Sequence, residues 1–230
     1  MCGIIGYTGS EDVKGVLLDA LELLEYRGYD SAGIALADTG LKQTKVYKCA
    51  GRVKDLRVIC ESEKLITECG IGHTRWATHG GVNDTNAHPH QVGKVTLVHN
   101  GIIENYRELI ADYELESVLK SETDSEVVAA LLNKFYTGDP DEAIKKTVSK
   151  LKGTFALVIL FEDHQGEIYS VRNVSPIVAT LCKEGAMLAS DLTALCRFTN
   201  RYFVVPEYHI LNRRRHINES YCFSFKFSVI

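Results

Sequence analysis

Strand-forming runs recur along the whole chain, and most are separated by turn signals rather than by helices long enough to cross a sheet. Apolar or alternating stretches cover residues 3–8, 32–37, 44–49, 69–76, 95–99, 154–161, 167–172, 177–181, 186–189, 202–205 and 208–211. Between 32–37 and 44–49 lies Asp38-Thr39-Gly40, which reads as a hairpin turn. Helical periodicity is confined mainly to two blocks, residues 10–27 and 105–152, with one further helix over 53–63. Strands grouped with strands and helices grouped with helices argue against a strictly alternating parallel fold. They predict an α+β architecture with mainly antiparallel sheets.

Local signals place the elements more closely. Ser10 reads as an N-cap, with Glu11 and Asp12 in the first turn of a helix over 13–26 that ends at Gly28. The SETD run at 121–124 opens the apolar-periodic stretch 127–135, and Asp139-Pro140-Asp141 opens a helix reaching about residue 152. The continuous run 154–161 fits a central strand, and 202–205 with 208–211 reads as a last pair. The end of the chain, YCFSFKFSVI over 221–230, alternates like an edge strand.

Composition narrows the class. With 230 residues, 45% hydrophobic and 24% charged, the chain has ample material for a sizeable core. A net charge of −4 gives no reason to expect nucleic acid or an acidic membrane surface. No apolar run reaches 18 residues, and no basic signal-peptide start precedes one. The seven cysteines are scattered and odd in number, with no C-x-x-C pair, which fits reduced cytoplasmic thiols better than a disulfide framework or zinc ribbon. Five of the eight histidines, His73, His79, His88, His90 and His99, crowd into one segment. Their spacings match no common zinc pattern, and no acid stands where a metallohydrolase would place one, so hydrogen-bonding loops are the expected role.

Cys2 directly after Met1 is the sharpest chemical feature. If Met1 is removed, thiol and α-amine share one residue, and the amine can serve as base for the nucleophile. The alternative is a chance cysteine at the start of a buried strand. The polar segments bear on this choice: MCGIIG at 1–6, LEYRGYDSAGIA at 24–35, GHTRWATHG at 72–80, NAHPH at 86–90, VHNGIIENY at 98–106 and SETDSEV at 121–127. In this order they resemble the class II, N-terminal-nucleophile glutamine amidotransferases. The YRGYDSAG form resembles the hexosamine-forming branch, the glutaminase domains of isomerizing glutamine–fructose-6-phosphate aminotransferases.

The resemblance implies a fold, an activity and residue roles. The fold is the αββα sandwich of N-terminal-nucleophile hydrolases, over residues 1–217, with 218–230 a tail of uncertain structure. The activity is hydrolysis of L-glutamine to L-glutamate and ammonia through a Cys2 thioester. Asn100 and Gly101 match the oxyanion hole, and Arg27 stands beside the nucleophile. Arg75 matches the residue that binds the substrate carboxylate, Asp124 the one that pairs with its ammonium, and Trp76, Thr78 and His79 line the pocket. No cofactor and no metal are implied. The partner implied is a sugar-isomerase half, absent from this sequence, which marks the chain as an isolated or truncated domain.

Rival readings attach to several of these residues. Arg27 could be paired with Asp30 or another acid, Asp124 could cap the following helix, and His73 could be purely structural. Val174 in RNVSP (172–176) departs from the family pattern and points to altered loop geometry, and the pattern fades beyond residue 217. A non-catalytic module, or the same glutaminase serving another acceptor, are the alternative functions.

Overall fold

The computed structural model describes residues 2–63, 65–77, 80–182, 184–213 and 226–230. Among these, thirteen strands form two sheets. The first is ordered β11 (Phe203–Val204), β9 (Val178–Cys182), β10 (Gly185–Ala189), β1 (Gly3–Gly9), β4 (Thr67–Arg75), β2 (Ser31–Asp38) and β3 (Gln43–Cys49). The second is ordered β13 (Lys226–Val229), β12 (His209–Arg213), β8 (Ile168–Asn173), β7 (Gly153–Phe161), β6 (Val95–Ile103) and β5 (His90–Val92). Every pairing described is antiparallel.

Side-chain alternation explains the stacking. Along β7, Phe155, Leu157, Ile159 and Phe161 point to one core, while Ala156, Val158 and Leu160 point to another. A strand buried on both faces reads as a continuous apolar run, which is why residues 154–161 carry no polar alternation. The first core joins the second sheet to α4 (Asp124–Phe135) and α5 (Pro140–Val148), with Leu109 of α3 (Tyr106–Asp112) added to it. The other core lies between the sheets and also takes Ile4, Ala35, Ile71 and Val98. A third joins the outer face of the first sheet, through Ile5, Tyr7, Ile34 and Leu36, to α1 (Val13–Leu24) and α2 (Val53–Cys60). The order of layers is helix, sheet, sheet, helix, the αββα sandwich. Leu17, Leu21 and Leu24 of α1 are fully buried; truncating any one to alanine is worth about 2–5 kcal/mol.

Two local expectations are corrected. Helix α1 begins at Val13 with Asp12 in the cap position, and the Ser10 hydroxyl donates to Glu184 instead. Residues 203–204 and 209–213 do not pair with each other: β11 joins β9 in the first sheet and β12 joins β8 in the second, so the chain changes layers between them. The NAHPH loop ends in a short strand, β5, which flanks β6. Val174 does adopt an unusual backbone, with φ of 66°, rare for a β-branched residue. Its N–H is held by Glu207 Oε1. At the far edge, β13 pairs with β12.

Candidate active site

Cys2 sits at the entrance to β1, an inner strand of its sheet, and register places it beside the end of β4, since Gly3 pairs with Thr74. The Trp76 N–H donates to Cys2 Sγ at 3.2 Å, and Sγ lies 3.6 Å from the Trp76 carbonyl. Burial pushes the thiol pKa up; the Trp76 N–H and the positive charges of Arg75 and Arg27 partly offset this. The thiol is therefore not a standing thiolate and needs a base at the moment of attack.

The Cys2 carbonyl is clamped from both layers. Arg27 Nε donates to it at 3.1 Å, and Asn100 Nδ2, from β6 of the other sheet, donates at 3.0 Å. Arg27 Nη1 in turn meets Asp191 Oδ2 at 2.7 Å. The acid paired with Arg27 is thus Asp191 and not Asp30, whose Oδ2 accepts the Ala77 N–H. Next to Asn100, Gly101 has φ of 132°, and its Cβ position is filled by the Thr154 and Phe155 backbone of β7. Only glycine fits there.

Across the cleft, Thr123 caps α4 through its hydroxyl, so Asp124 is the first helical residue rather than the cap. Its carboxylate accepts the Ile103 N–H at 2.8 Å while only 5% of the residue is exposed. Arg75, 4% exposed, donates to the Gly81 and Gly80 carbonyls at 3.2 and 3.4 Å. The loop carrying those glycines is tied down by Glu122, which accepts from Gly81 N and Asn86 Nδ2, and by Lys48, which donates to the Thr85 and Ala87 carbonyls.

Cys2 separates two cavities. One, of about 30 Å³, is lined by Arg75, Asp124 and His99; the other, of about 240 Å³, by Arg27, Asn100, Ile102, Ser175 and Pro176; Trp76 and Gly101 border both. Trp76 is 46% exposed and meets Tyr29 edge-on at 5.7 Å. Cys2, Arg27, Arg75, Trp76, Asn100, Gly101 and Asp124 are thus brought together, whereas Thr78 and His79 lie outside the described residues. Among the described residues no group of three or more His, Cys, Asp or Glu is placed to hold a metal. No helix among them is long and apolar enough to cross a membrane. Asp191 is the residue sequence reasoning left without a role. It stands 164 positions from Arg27, and no local pattern links the two.

Comparison with known proteins gives a consistent pattern. A model of the glutamine amidotransferase domain family matches residues 73–197. The glutamine–fructose-6-phosphate aminotransferases (isomerizing) of Bacillus spizizenii and Bacillus subtilis strain 168 are each 46% identical over 206 residues, or 88% of this chain and 34% of theirs. The chain spans about a third of the length of these relatives. Among solved structures, glutamine phosphoribosylpyrophosphate amidotransferase from B. subtilis, complexed with ADP and GMP, superposes with a TM-score of 0.81. That match has 24% identity and covers 99% of this chain and 49% of the other; it bears on the fold.

Proposed function

The chain belongs to the glutamine amidotransferase domain family, and from that premise we propose that it hydrolyses L-glutamine to L-glutamate and ammonia through a thioester on Cys2. The observation that supports this reading is the convergence on one cleft of the Cys2 thiol, the Asn100 amide, Gly101, the Arg75 guanidinium and the Asp124 carboxylate, with Asn100 Nδ2 and the Gly101 N–H assigned here as the oxyanion donors.

In the mature chain, with Met1 removed, the Cys2 α-amine takes the thiol proton as Sγ attacks the side-chain amide carbon. As the Sγ–C bond forms, the π pair of the amide C=O moves onto oxygen, where preorganised donors stabilise the negative charge. Collapse of the tetrahedral adduct breaks the C–N bond, and the ammonium proton leaves with ammonia. Water then attacks the thioester, releases glutamate and restores Sγ–H. Arg75 holds the α-carboxylate, for which a guanidinium is suited, and Asp124 holds the α-ammonium. At about 30 Å³ the cavity between them has room for roughly two waters. The substrate carboxylate therefore takes over the Arg75 donors now held by the Gly80 and Gly81 carbonyls. Trp76, Thr78 and His79 complete the pocket wall, and Arg27 holds the Cys2 carbonyl.

Ammonia leaves toward the 240 Å³ cavity on the other flank of Cys2. In the whole enzyme it would aminate fructose 6-phosphate in a sugar-isomerase half, making this the ammonia-supplying part of cytoplasmic amino-sugar synthesis. We assign the glutaminase domain to 1–217; beyond it, the strand Lys226–Val229 pairs with β12.

The test is mass spectrometry of the mature N-terminus followed by treatment with 6-diazo-5-oxo-norleucine. One equivalent should label Cys2 alone, and Cys2→Ala should abolish glutamate release. Activity surviving Cys2→Ala, or labelling at another cysteine, excludes the assignment.

A further inference from the structure

An oxyanion hole that uses a side-chain amide works in only one of its two orientations, because oxygen and nitrogen occupy similar volumes but only nitrogen donates. Asn100 resolves its own orientation through its partners. Its Nδ2 lies 3.0 Å from the Cys2 carbonyl, an acceptor, so the amide nitrogen faces the nucleophile. The opposite atom, Oδ1, lies 3.1 Å from His73 Nε2, and the same Nε2 lies 3.1 Å from the His99 carbonyl oxygen. Two acceptors converging on Nε2 require it to carry the proton. The other ring nitrogen, Nδ1, is then bare, and it meets no hydrogen-bond partner among the described residues. A proton placed there instead would leave a buried donor unpaired and two oxygens facing a lone pair, the costlier arrangement.

We propose that His73 is a positioning residue: its Nε2–H, shared between the His99 carbonyl and Asn100 Oδ1, locks the Asn100 amide with Nδ2 toward the reacting carbon. His73 comes from β4 and Asn100 from β6, so the bond joins the two sheets. Only 1% of His73 is exposed, and its ring stacks on His88 at 4.1 Å and 25°. His88 meets His90 edge-on at 4.6 Å, and His90 Nε2 lies 3.0 Å from the hydroxyl of Thr123, the cap that sets Asp124. An imidazole column therefore runs from the oxyanion residue to the helix that carries the ammonium-binding acid. Burial keeps the column uncharged: it pulls His73 down to about 3 and holds His88 and His90 well below the ordinary histidine value, with Arg75 and the neighbouring imidazoles acting in the same direction. A neutral ring cannot switch between donor sets with pH, which is what a fixed positioning residue requires.

This inference rests on the glutaminase reading, and its test keeps the two apart. The mature full chain is compared with His73→Gln, whose side-chain N–H can still donate, and with His73→Leu, which fills similar space without a donor. Loss of one oxyanion donor lowers kcat by about 10²–10³. His73→Leu should therefore lose about 10² in kcat while KM for glutamine and binding of glutamate stay within about threefold. Affinity for the γ-semialdehyde of glutamate, which adds Cys2 Sγ across its carbonyl to give a tetrahedral hemithioacetal, should fall by the same factor as kcat. His73→Gln should recover at least about tenfold. A folded His73→Leu with wild-type kcat, or equal losses for glutamate and semialdehyde, overturns the proposal. A second measurement needs neither turnover nor a variant: ¹⁵N spectra of the imidazoles should show His73 as the neutral Nε2–H tautomer from pH 5 to 8. An Nδ1–H tautomer, or a titration in that range, overturns it. A wild-type chain that releases no glutamate would instead remove the glutaminase reading and leave the tautomer result standing.

Discussion

Replacing Gly101 with alanine asks whether the backbone of β6 is held in the conformation that aims its N–H at the reacting oxygen. At φ of 132° an L-residue is strained by about 1–3 kcal/mol before any contact is considered. The added Cβ would fall 2.7 Å from the Thr154 carbonyl carbon and 2.9 Å from Phe155 Cα, with the Thr154 carbonyl oxygen nearer still. Carbon atoms rest at about 3.5–4.0 Å, so β6 and β7 must part by most of an ångström there. Phe155 is buried, and β7 is an inner strand packed on both faces, so the separation disturbs ladder bonds worth about 0.5–1.5 kcal/mol each. A total near 4 kcal/mol is a large part of a typical domain stability of about 5–15 kcal/mol. For a chain of this size it corresponds to a drop of roughly 10 °C in Tm. Thermal melts followed by circular dichroism measure the first consequence. A coupled glutamate assay measures the second, a kcat lower by about 10²–10³, as expected when one oxyanion donor is misplaced. A Gly101→Ala protein melting within about 2 °C of wild type with kcat within threefold would refute both the strain and the donor assignment.

Asp191→Ala should destabilise the fold by about 1–3 kcal/mol in denaturant titrations, below the cost of breaking a fully buried pair because the aspartate side chain is 25% exposed. Burial alone would raise the Asp191 pKa, but the Thr193 N–H and hydroxyl, the Tyr26 hydroxyl and Arg27 outweigh it and hold the carboxyl below its usual value. The difference from wild type should therefore be intact at pH 5 and disappear only as pH falls through that lowered value. His73, His88 and His90 have folded pKa values depressed by burial, so the unfolded chain binds more protons below about pH 6.5 and stability falls with acid. Unfolding free energies from denaturant titrations between pH 7 and 4.5 should decline by up to about 4 kcal/mol per pH unit for the three rings together, and a flat profile would contradict their buried neutral state.

How much of this was legible in the sequence depends on the distance over which each feature is decided. Strand β7 and helix α4 were readable because each is specified by its own apolar pattern, whose period reports directly on burial. Thr123 and Asp139 cap their helices through side chains three residues from the N–H they accept, also a local event. Ser10 looked like a cap by the same rule, but its hydroxyl found a better partner in Glu184, which the first sheet delivers from 174 residues away. Strands β11 and β12 failed for a related reason. Two short apolar runs in succession say that each is extended, not which sheet edge is open to receive them. The Arg27–Asp191 pair and the Asn100–His73 bond are decided by strand order and register, so neither could be assigned from spacing.

The site is divided between the layers in a way that ties activity to their packing. The first sheet supplies Cys2 and Arg75, at adjoining ends of β1 and β4. The second supplies Asn100 and Gly101 from β6 and, through α4 packed on it, Asp124. On the proposed mechanism, neither half contains both the nucleophile and a place for the charge it creates. What joins them is the inter-sheet core of Ile4, Ile71, Val98, Ala156 and Val158, together with polar bridges that include Asn100 to the Cys2 carbonyl and His73 to Asn100 and to the His99 carbonyl. Interiors of this density resist small shifts, and a misplacement of about 1 Å costs on the order of 10²-fold in rate. On the proposed mechanism, the apolar residues between the sheets therefore set the separation of Cys2 from Asn100 and Gly101 as directly as the polar residues of the cleft do.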